Sequence, residues 1–276
     1  MDIRPIGVFD SGLGGLTTVK KLTEYLPEED IIYLGDTGRV PYGSRSTETI
    51  VKYACQDAAF LARHNIKAMV VACNTACSVA YDILDNAYDM PVYEVIKVPA
   101  RAAAARTRNG RIGVIGTTAT IRSGAYETAL KGIRPELRVF SEPCPLFVPL
   151  VENGRTAGDD PAALAIAGDY LAPLLEARID TLILGCTHFP LMRGVITKVA
   201  GADVELIDSG AETAKLVAGD LRARDMLSER GAGVLSGNAA GTIKYFVTDS
   251  IEGFSDIASR YLESDTRGMV EQVTLE

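Results

Sequence analysis

At 276 residues, with 47% hydrophobic and 23% charged residues, the chain has the composition of a folded globular protein and not of a disordered one. A formal net charge of −8 argues against a dedicated nucleic-acid surface, and no apolar run approaches the roughly 18 residues that a membrane-spanning helix requires. Five cysteines, an odd number, are scattered along a chain that runs from Met1-Asp2-Ile3-Arg4-Pro5 straight into a strand, which points to free thiols, no leader peptide and a cytoplasmic setting.

The elements alternate from the start. Ile6-Gly7-Val8-Phe9 reads as a strand, and Leu16, Val19, Leu22 and Leu26 recur at helical spacing until Pro27 closes the helix. Ile31-Ile32-Tyr33-Leu34 begins the next strand, and a helix over about Thr47 to His64 leads to the buried-type strand Ala68 to Ala72. A helix with Ala76, Val79, Ala80, Ile83 and Leu84 on one face precedes the strand Val92 to Ile96. Strands separated by helices of this length imply parallel βαβ units.

The pattern then restarts. Arg111-Ile112-Gly113-Val114-Ile115-Gly116-Thr117 echoes Pro5 to Ser11, and Thr181 to Thr187, ending Gly185-Cys186-Thr187, echoes Met69 to Thr75, ending Cys73-Asn74-Thr75. Val/Ile runs look alike, but both copies end in cysteine, and that favours an internal repeat. After Ile207 come a helix over Glu212 to Arg224, a short strand near Val234, and the strand Ile243 to Val247, expected to return to the first half. The expected fold is α/β, with two pseudo-symmetric lobes, each a mostly parallel sheet flanked by helices, and the active site in the cleft between them. Residues 1–97 plus 208–276 would form a discontinuous first lobe and residues 98–207 the second.

Open α/β sheets bind ligands beyond the carboxyl ends of their strands. The polar residues there are Asp10-Ser11, Asp36, Cys73-Asn74-Thr75, Thr117 to Thr120, and Cys186-Thr187-His188. Each of the two cysteines precedes a helix, whose N-terminal dipole should favour thiolate in a group that titrates near about 8.5 when free. Asp10 is placed to poise a neighbouring thiol or hold an ammonium group. His188, two residues past Cys186, is placed to exchange a proton with it. Cys55, Cys77 and Cys144 read as packing residues and His64 as structural. Ser11-Gly12-Leu13-Gly14-Gly15 is either a small-anion or carboxylate loop or a tight turn that needs glycine for geometry alone; it does not fit a dinucleotide fingerprint. Gly35-Asp36-Thr37 with Pro41-Tyr42-Gly43 forms a second strand-end loop, whose N–H groups around Tyr42-Gly43 suit another carboxylate. Cys73, Cys77, Cys186 and His188 lack the spacing of a compact zinc site, and no Ser-His-Asp set is evident.

Taken in order, Phe9 to Gly15, Gly35-Asp36-Thr37 with Pro41-Tyr42-Gly43, Ala72 to Ala76, Val114 to Thr117 with Thr120, Val148 to Glu152, Leu184 to Pro190 and Phe246-Val247-Thr248 resemble the cofactor-independent aspartate/glutamate racemase family over nearly the whole chain. Val98-Pro99-Ala100 departs from it, where Pro-Gly is usual. The resemblance implies Cys73 and Cys186 as acid/base residues on opposite faces of a substrate Cα, with Asp10 assisting the first and His188 and Glu152 the second. It implies Asn74, Thr75 and Thr120 at the α-carboxylate, Asp10, Ser11 and Thr187 near the ammonium group, and Tyr42-Gly43 at the side-chain carboxylate. It further implies glutamate as the substrate, D-glutamate for peptidoglycan as the product, no cofactor and no metal, and a homodimer without nucleic-acid or membrane partners. Removing a proton and returning one to the opposite face demands two opposed bases, each able to act as an acid, and thiols do both. Aspartate or another amino acid is the nearest alternative substrate. A small-anion or dinucleotide-binding module and a zinc hydrolase are the alternatives of other classes.

Overall fold

The computed structural model describes residues 2–228, 240–263, 266 and 268–275; the strand expected near Val234 lies outside the described residues. Among the described residues ten strands form two sheets, all of whose pairings are parallel. The first holds β1 (Ile6–Asp10), β2 (Ile31–Gly35), β3 (Ala68–Val71) and β4 (Val92–Glu94), joined by the later β9 (Ile243–Val247) and β10 (Val270–Gln272), in the order β10-β9-β2-β1-β3-β4. The second holds β5 (Arg111–Gly116), β6 (Arg138–Pro143), β7 (Thr181–Gly185) and β8 (Glu205–Asp208), in the order β6-β5-β7-β8.

The central strands are buried along their whole length, as parallel strands covered by helices on both faces must be. The period of two assigns their side chains. Ile6 and Val8 pack with Leu16, Val19 and Leu22 of the helix Leu16–Tyr25. Phe9 and Met69 face the other way, onto Ile50, Ala54, Ala58 and Leu61 of the helix Thr47–Ala62. In the second sheet Leu182 and Leu184 pack under the helix Pro161–Glu176, while Ile183 and Val114 face the helices Lys97–Arg106 and Ala125–Ile133.

The expected fold class holds, and the differences lie at element ends. The strand expected to reach Ile96 stops at Glu94, because the Glu94 carboxylate accepts the backbone N–H groups of Ile96 (2.6 Å), Lys97 (2.7 Å) and Val98 (3.1 Å) and turns the chain into the next helix. The helix expected to reach His64 ends at Ala62, just before Asn65 takes a left-handed conformation (φ 52°). The late helix begins at Ser209, before the expected Glu212, since Asp208 caps it by accepting from Ala211 N at 3.0 Å.

The shared strand order matters most for the site. β2-β1-β3-β4 and β6-β5-β7-β8 are the same arrangement, with β1 matching β5 and β3 matching β7. Each sheet has its topological switch point beside that first strand, and one cysteine follows the matching strand in each, Cys73 after β3 and Cys186 after β7.

Candidate active site

The carboxyl ends of the two sheets share one cavity of about 310 Å³. Ser11, Tyr42, Gly43, Cys73, Asn74, Thr75, Glu152, Cys186, Thr187 and His188 line it, so most of the expected side chains stand around one space. Asp10 and Thr120 lie behind the wall, both buried. Thr117 and Thr118 line the cavity where Thr120 was expected. The hydroxyls of Thr75, Thr117 and Thr120 form a triangle with sides of 3.0 to 3.3 Å, which joins the end of β3 to the end of β5. Cys144, read from sequence as packing, is buried and also lines the cavity, with Pro145, Val148 and Pro149 beside it.

The glycine-rich turn is explained by close approach. A Cβ at Gly14 would fall 2.1 Å from Thr187 Oγ1 and 2.5 Å from His188 Nδ1, so only glycine lets this loop rest on the segment after Cys186. Thr17 Oγ1 donates to Thr187 O at 2.9 Å across the same junction. Gly43 makes a similar approach, since its Cβ would stand 3.0 Å from Thr117.

Cys73 caps the helix Asn74–Ala87, its Sγ accepting from Ala76 N at 3.5 Å and donating to Ser11 Oγ at 3.4 Å. Contrary to the expectation from sequence, the helix terminus does not make this group a ready thiolate. Burial, with the negative charge of Asp10 added to it, pushes the thiol up to about 12, against the helix N–H and Ser11 that favour the anion. Burial also raises the Asp10 carboxyl, which His188, the N–H groups of Gly15 and Gly12, and the Thr187 hydroxyl partly pull back.

The second thiol has different company. Cys186 Sγ lies 3.9 Å from His188 Nδ1, and His188 Nε2 lies 3.2 Å from Glu152 Oε1. Burial opposes a charge on this imidazole, but its hydrogen bonds to Cys186 and Glu152 and the nearby Cys186 and Asp10 raise it to about 10. His188 therefore carries a proton at neutral pH within reach of a sulfur, while Cys73 on the matching strand keeps its own.

Asn74 is constrained in a way the sequence does not reveal. Its amide nitrogen donates to Val95 O (3.0 Å) and to Tyr126 Oη (2.8 Å), which uses both hydrogens. Its Oδ1 has no hydrogen-bond partner and is itself buried, so the side chain has no free hydrogen for a ligand. Among the described residues no three His, Cys, Asp or Glu side chains are grouped as metal ligands would be, and no helix is long and apolar enough to cross a membrane.

The model of a family described as Asp/Glu/Hydantoin racemase matches residues 6–217. The chain is 48% identical to a glutamate racemase of Geobacter metallireducens, over 100% of this chain and 98% of that one. Among solved structures, a glutamate racemase of Bacillus anthracis superposes with a TM-score of 0.92 at 39% identity, covering 100% of this chain and 99% of the other. The glutamate racemase of Francisella tularensis, solved in complex with D-glutamate, superposes at 0.89 and 38% identity with the same coverage.

Proposed function

From the premise that the chain belongs to the Asp/Glu/Hydantoin racemase family, we propose that it interconverts L- and D-glutamate, with Cys73 and Cys186 as the two proton carriers. The observation that carries the reading is the placement of these thiols at the ends of matching strands in two like-ordered sheets, on one cavity. With the domain bounds taken as 1–97 plus 208–276 and 98–207, each lobe presents one thiol to one face of the substrate Cα.

In one direction Cys186, its proton taken up by His188, abstracts the α-hydrogen as the C–H electron pair passes to Cα and its carboxylate. Cys73 then delivers its thiol proton to the opposite face, which inverts the centre and leaves a Cys73 thiolate. The reverse reaction begins from that thiolate. Asp10 assists on the Cys73 side, and Glu152 orients His188 on the other. The α-carboxylate falls to the Thr75 and Thr117 hydroxyls, with Thr120 behind them, and to the backbone at the start of the helix Asn74–Ala87. Asn74 joins the α-carboxylate through its backbone at the helix start, Ser11, Asp10 and Thr187 stand at the ammonium group, and Gly43 with the Tyr42 backbone takes the side-chain carboxylate. An α-proton of this kind is poorly activated, so much of the rate must come from burial and fixed donors around the developing carbanion.

The proposal includes its setting: a cytoplasmic homodimer that uses no added cofactor and supplies D-glutamate to peptidoglycan synthesis. All five cysteines are unpaired, in keeping with a reducing compartment. The test is a coupled assay of both glutamate enantiomers and both aspartate enantiomers in deuterated water. Early product should be glutamate deuterated at Cα while the remaining substrate stays protonated, because the thiol that returns a proton is not the one that removed it. Product that keeps its original hydrogen, or turnover confined to aspartate, would overturn the reading.

A further inference from the structure

Behind the Tyr42-Gly43 wall lies a group of buried charges that the chemistry above does not use. Asp36, Asp57 and Tyr42 are all essentially inaccessible to solvent. The Tyr42 hydroxyl is turned away from the cavity and lies within hydrogen-bond reach of Asp36 Oδ2 and, at 2.9 Å, of Asp57 Oδ2. Arg39 donates from Nε to Asp36 Oδ2 at 2.5 Å, from Nη2 to Asp57 Oδ1 at 2.8 Å, and from Nη1 to Gln56 Oε1 at 2.5 Å, with its guanidinium 4.2 Å from the Tyr53 ring centre. Thr248 Oγ1 donates to Asp36 Oδ1 at 2.8 Å and accepts from Gly38 N at 2.8 Å.

The hydrogens can be counted. Tyr42 has one proton and two carboxylate oxygens to meet, so one of those carboxyls must donate to the phenol oxygen. Asp36 Oδ2 meets Arg39 as well as the phenol, and its Oδ1 accepts from Thr248, so the donors around it favour its charged form. Asp57 accepts from Arg39 on Oδ1, and its Oδ2 meets the phenol alone, which makes Oδ2 the better place for the proton. The chain of donors therefore runs from Asp57 Oδ2 to Tyr42 to Asp36, and Asp36 and Arg39 balance each other's charge.

We propose that Asp36 and Asp57, sharing one proton through Tyr42, are positioning residues that set substrate selectivity by fixing the 37–45 loop, and with it Gly43, at the end of the cavity that takes the side-chain carboxylate. Burial, with the neighbouring Asp36 charge added, holds the Asp57 carboxyl well above the usual range, in keeping with a proton on Oδ2. A loop held this way presents its N–H groups at a fixed distance from the two thiols. A looser loop would cost affinity for a dicarboxylate without moving either thiol. The inference rests on the glutamate reading above.

The experiment compares steady-state kinetics of Asp36→Asn, Asp57→Ala, Asp57→Asn and Thr248→Val with the full-length wild type. Asp36→Asn sets an NH₂ against donors on every side and should raise KM for glutamate about 10-fold or more, with kcat much less changed. Asp57→Ala should raise KM in the same way. Asp57→Asn keeps a carbonyl for Arg39 and an N–H for the phenol oxygen, so it should recover most of that loss. Thr248→Val, the fallback if Asp36→Asn does not fold, should raise KM by a smaller factor. Elimination from β-chloroalanine, which has the α-groups and no side-chain carboxylate, should be spared in every variant. Asp57→Asn as damaging as Asp57→Ala would overturn the shared proton. A fall in kcat with KM unchanged, or equal loss on both substrates, would overturn the positioning role. A wild type that does not racemise glutamate removes the functional reading and this inference with it; a wild type that does, with variants that behave otherwise, removes the inference alone.

Discussion

The two halves of the cavity share a backbone plan and differ in their proton inventory. Asp36 N donates to Asp10 O at 3.0 Å where β2 leaves β1, and Cys144 N donates to Gly116 O at 2.8 Å where β6 leaves β5, so residues can be matched one to one. Cys73 corresponds to Cys186, Ser11 to Thr117 and Asp36 to Cys144. The correspondence fails at Asp10, whose match is Gly116. The first half thus has a buried carboxyl beside a thiol pushed up to about 12, and the second has no carboxyl there and uses His188, raised to about 10 and leaning on Glu152. Pseudo-symmetry places the thiols, and the side chains that break it decide where the protons rest. On the proposed two-thiol reaction one carrier must start loaded and the other ready, and this difference would set that state in advance.

Removal of either thiol should have the largest effect. Cys73→Ala and Cys186→Ala should each reduce racemisation about 10³-fold or more in both directions, because each direction uses both carriers. A serine in place of one thiol should still allow one-sided chemistry, such as elimination from β-chloroalanine with one enantiomer. Near-normal racemisation by Cys73→Ala would show that the matched strands do not carry matched roles.

How much of this was legible in the sequence follows from what a parallel sheet requires. Strands buried on both faces must be continuous apolar runs, so Ala68 to Val71 and Thr181 to Gly185 stood out, and the cysteine ending each was visible as a repeat. Side-chain charge states were not legible, because they depend on neighbours distant in the chain. The helix dipole at Cys73 and the nearness of Asp10 could be inferred, but the burial that outweighs the dipole could not. Glu152 and His188, 36 residues apart, were grouped only through the family resemblance and not by their spacing. Asp57 meets Tyr42 across 15, on a helix face that reads simply as buried. Thr117 and Cys144 were at strand ends in plain view, and the signal that they form the wall was their position after β5 and β6, the strands matching those that end in Asp10 and Gly35.

Changes confined to the second half should have intermediate effects. His188→Asn should lower kcat about 10²-fold, with the larger loss in the direction that starts at Cys186. The sign for stability follows from the raised pKa. Protonated His188 stabilises the fold fully below the unfolded histidine value of about 6.5, and that contribution is lost as pH rises through about 10. The melting temperature of the wild type should therefore fall between these limits by more than that of His188→Asn, and parallel curves would show that His188 is neutral in the folded protein. Glu152 is 39% exposed at its side chain, so solvent weakens its hold. Glu152→Gln should cost only about 2–5-fold in kcat and lower the pH at which the His188 contribution disappears.

The smallest effect tests the matching itself. Cys144 lines the same cavity as the two thiols, and chemistry alone gives no reason to pass it over. Its place in the sheet does. Pro143 and Gly185 both pair with Gly116, from opposite sides of β5, so Cys144 follows the outer strand while Cys186 follows the strand that matches β3. Its counterpart in the first half is Asp36, which serves the wall and not the proton transfer. Burial, with Glu142 and Cys186 adding to it, pushes the Cys144 thiol far up, and its hydrogen bond runs to Glu142 O at 3.6 Å. Cys144→Ala should therefore racemise in both directions with a modest rise in KM, and lose about 1 kcal/mol of stability for the buried sulfur removed. Cys55→Ala, at a half-buried position away from the cavity, should alter neither rate nor KM measurably. Loss of one direction only in Cys144→Ala would transfer the second proton carrier from Cys186 to Cys144, and the one-to-one correspondence of the two sheets would no longer locate the chemistry.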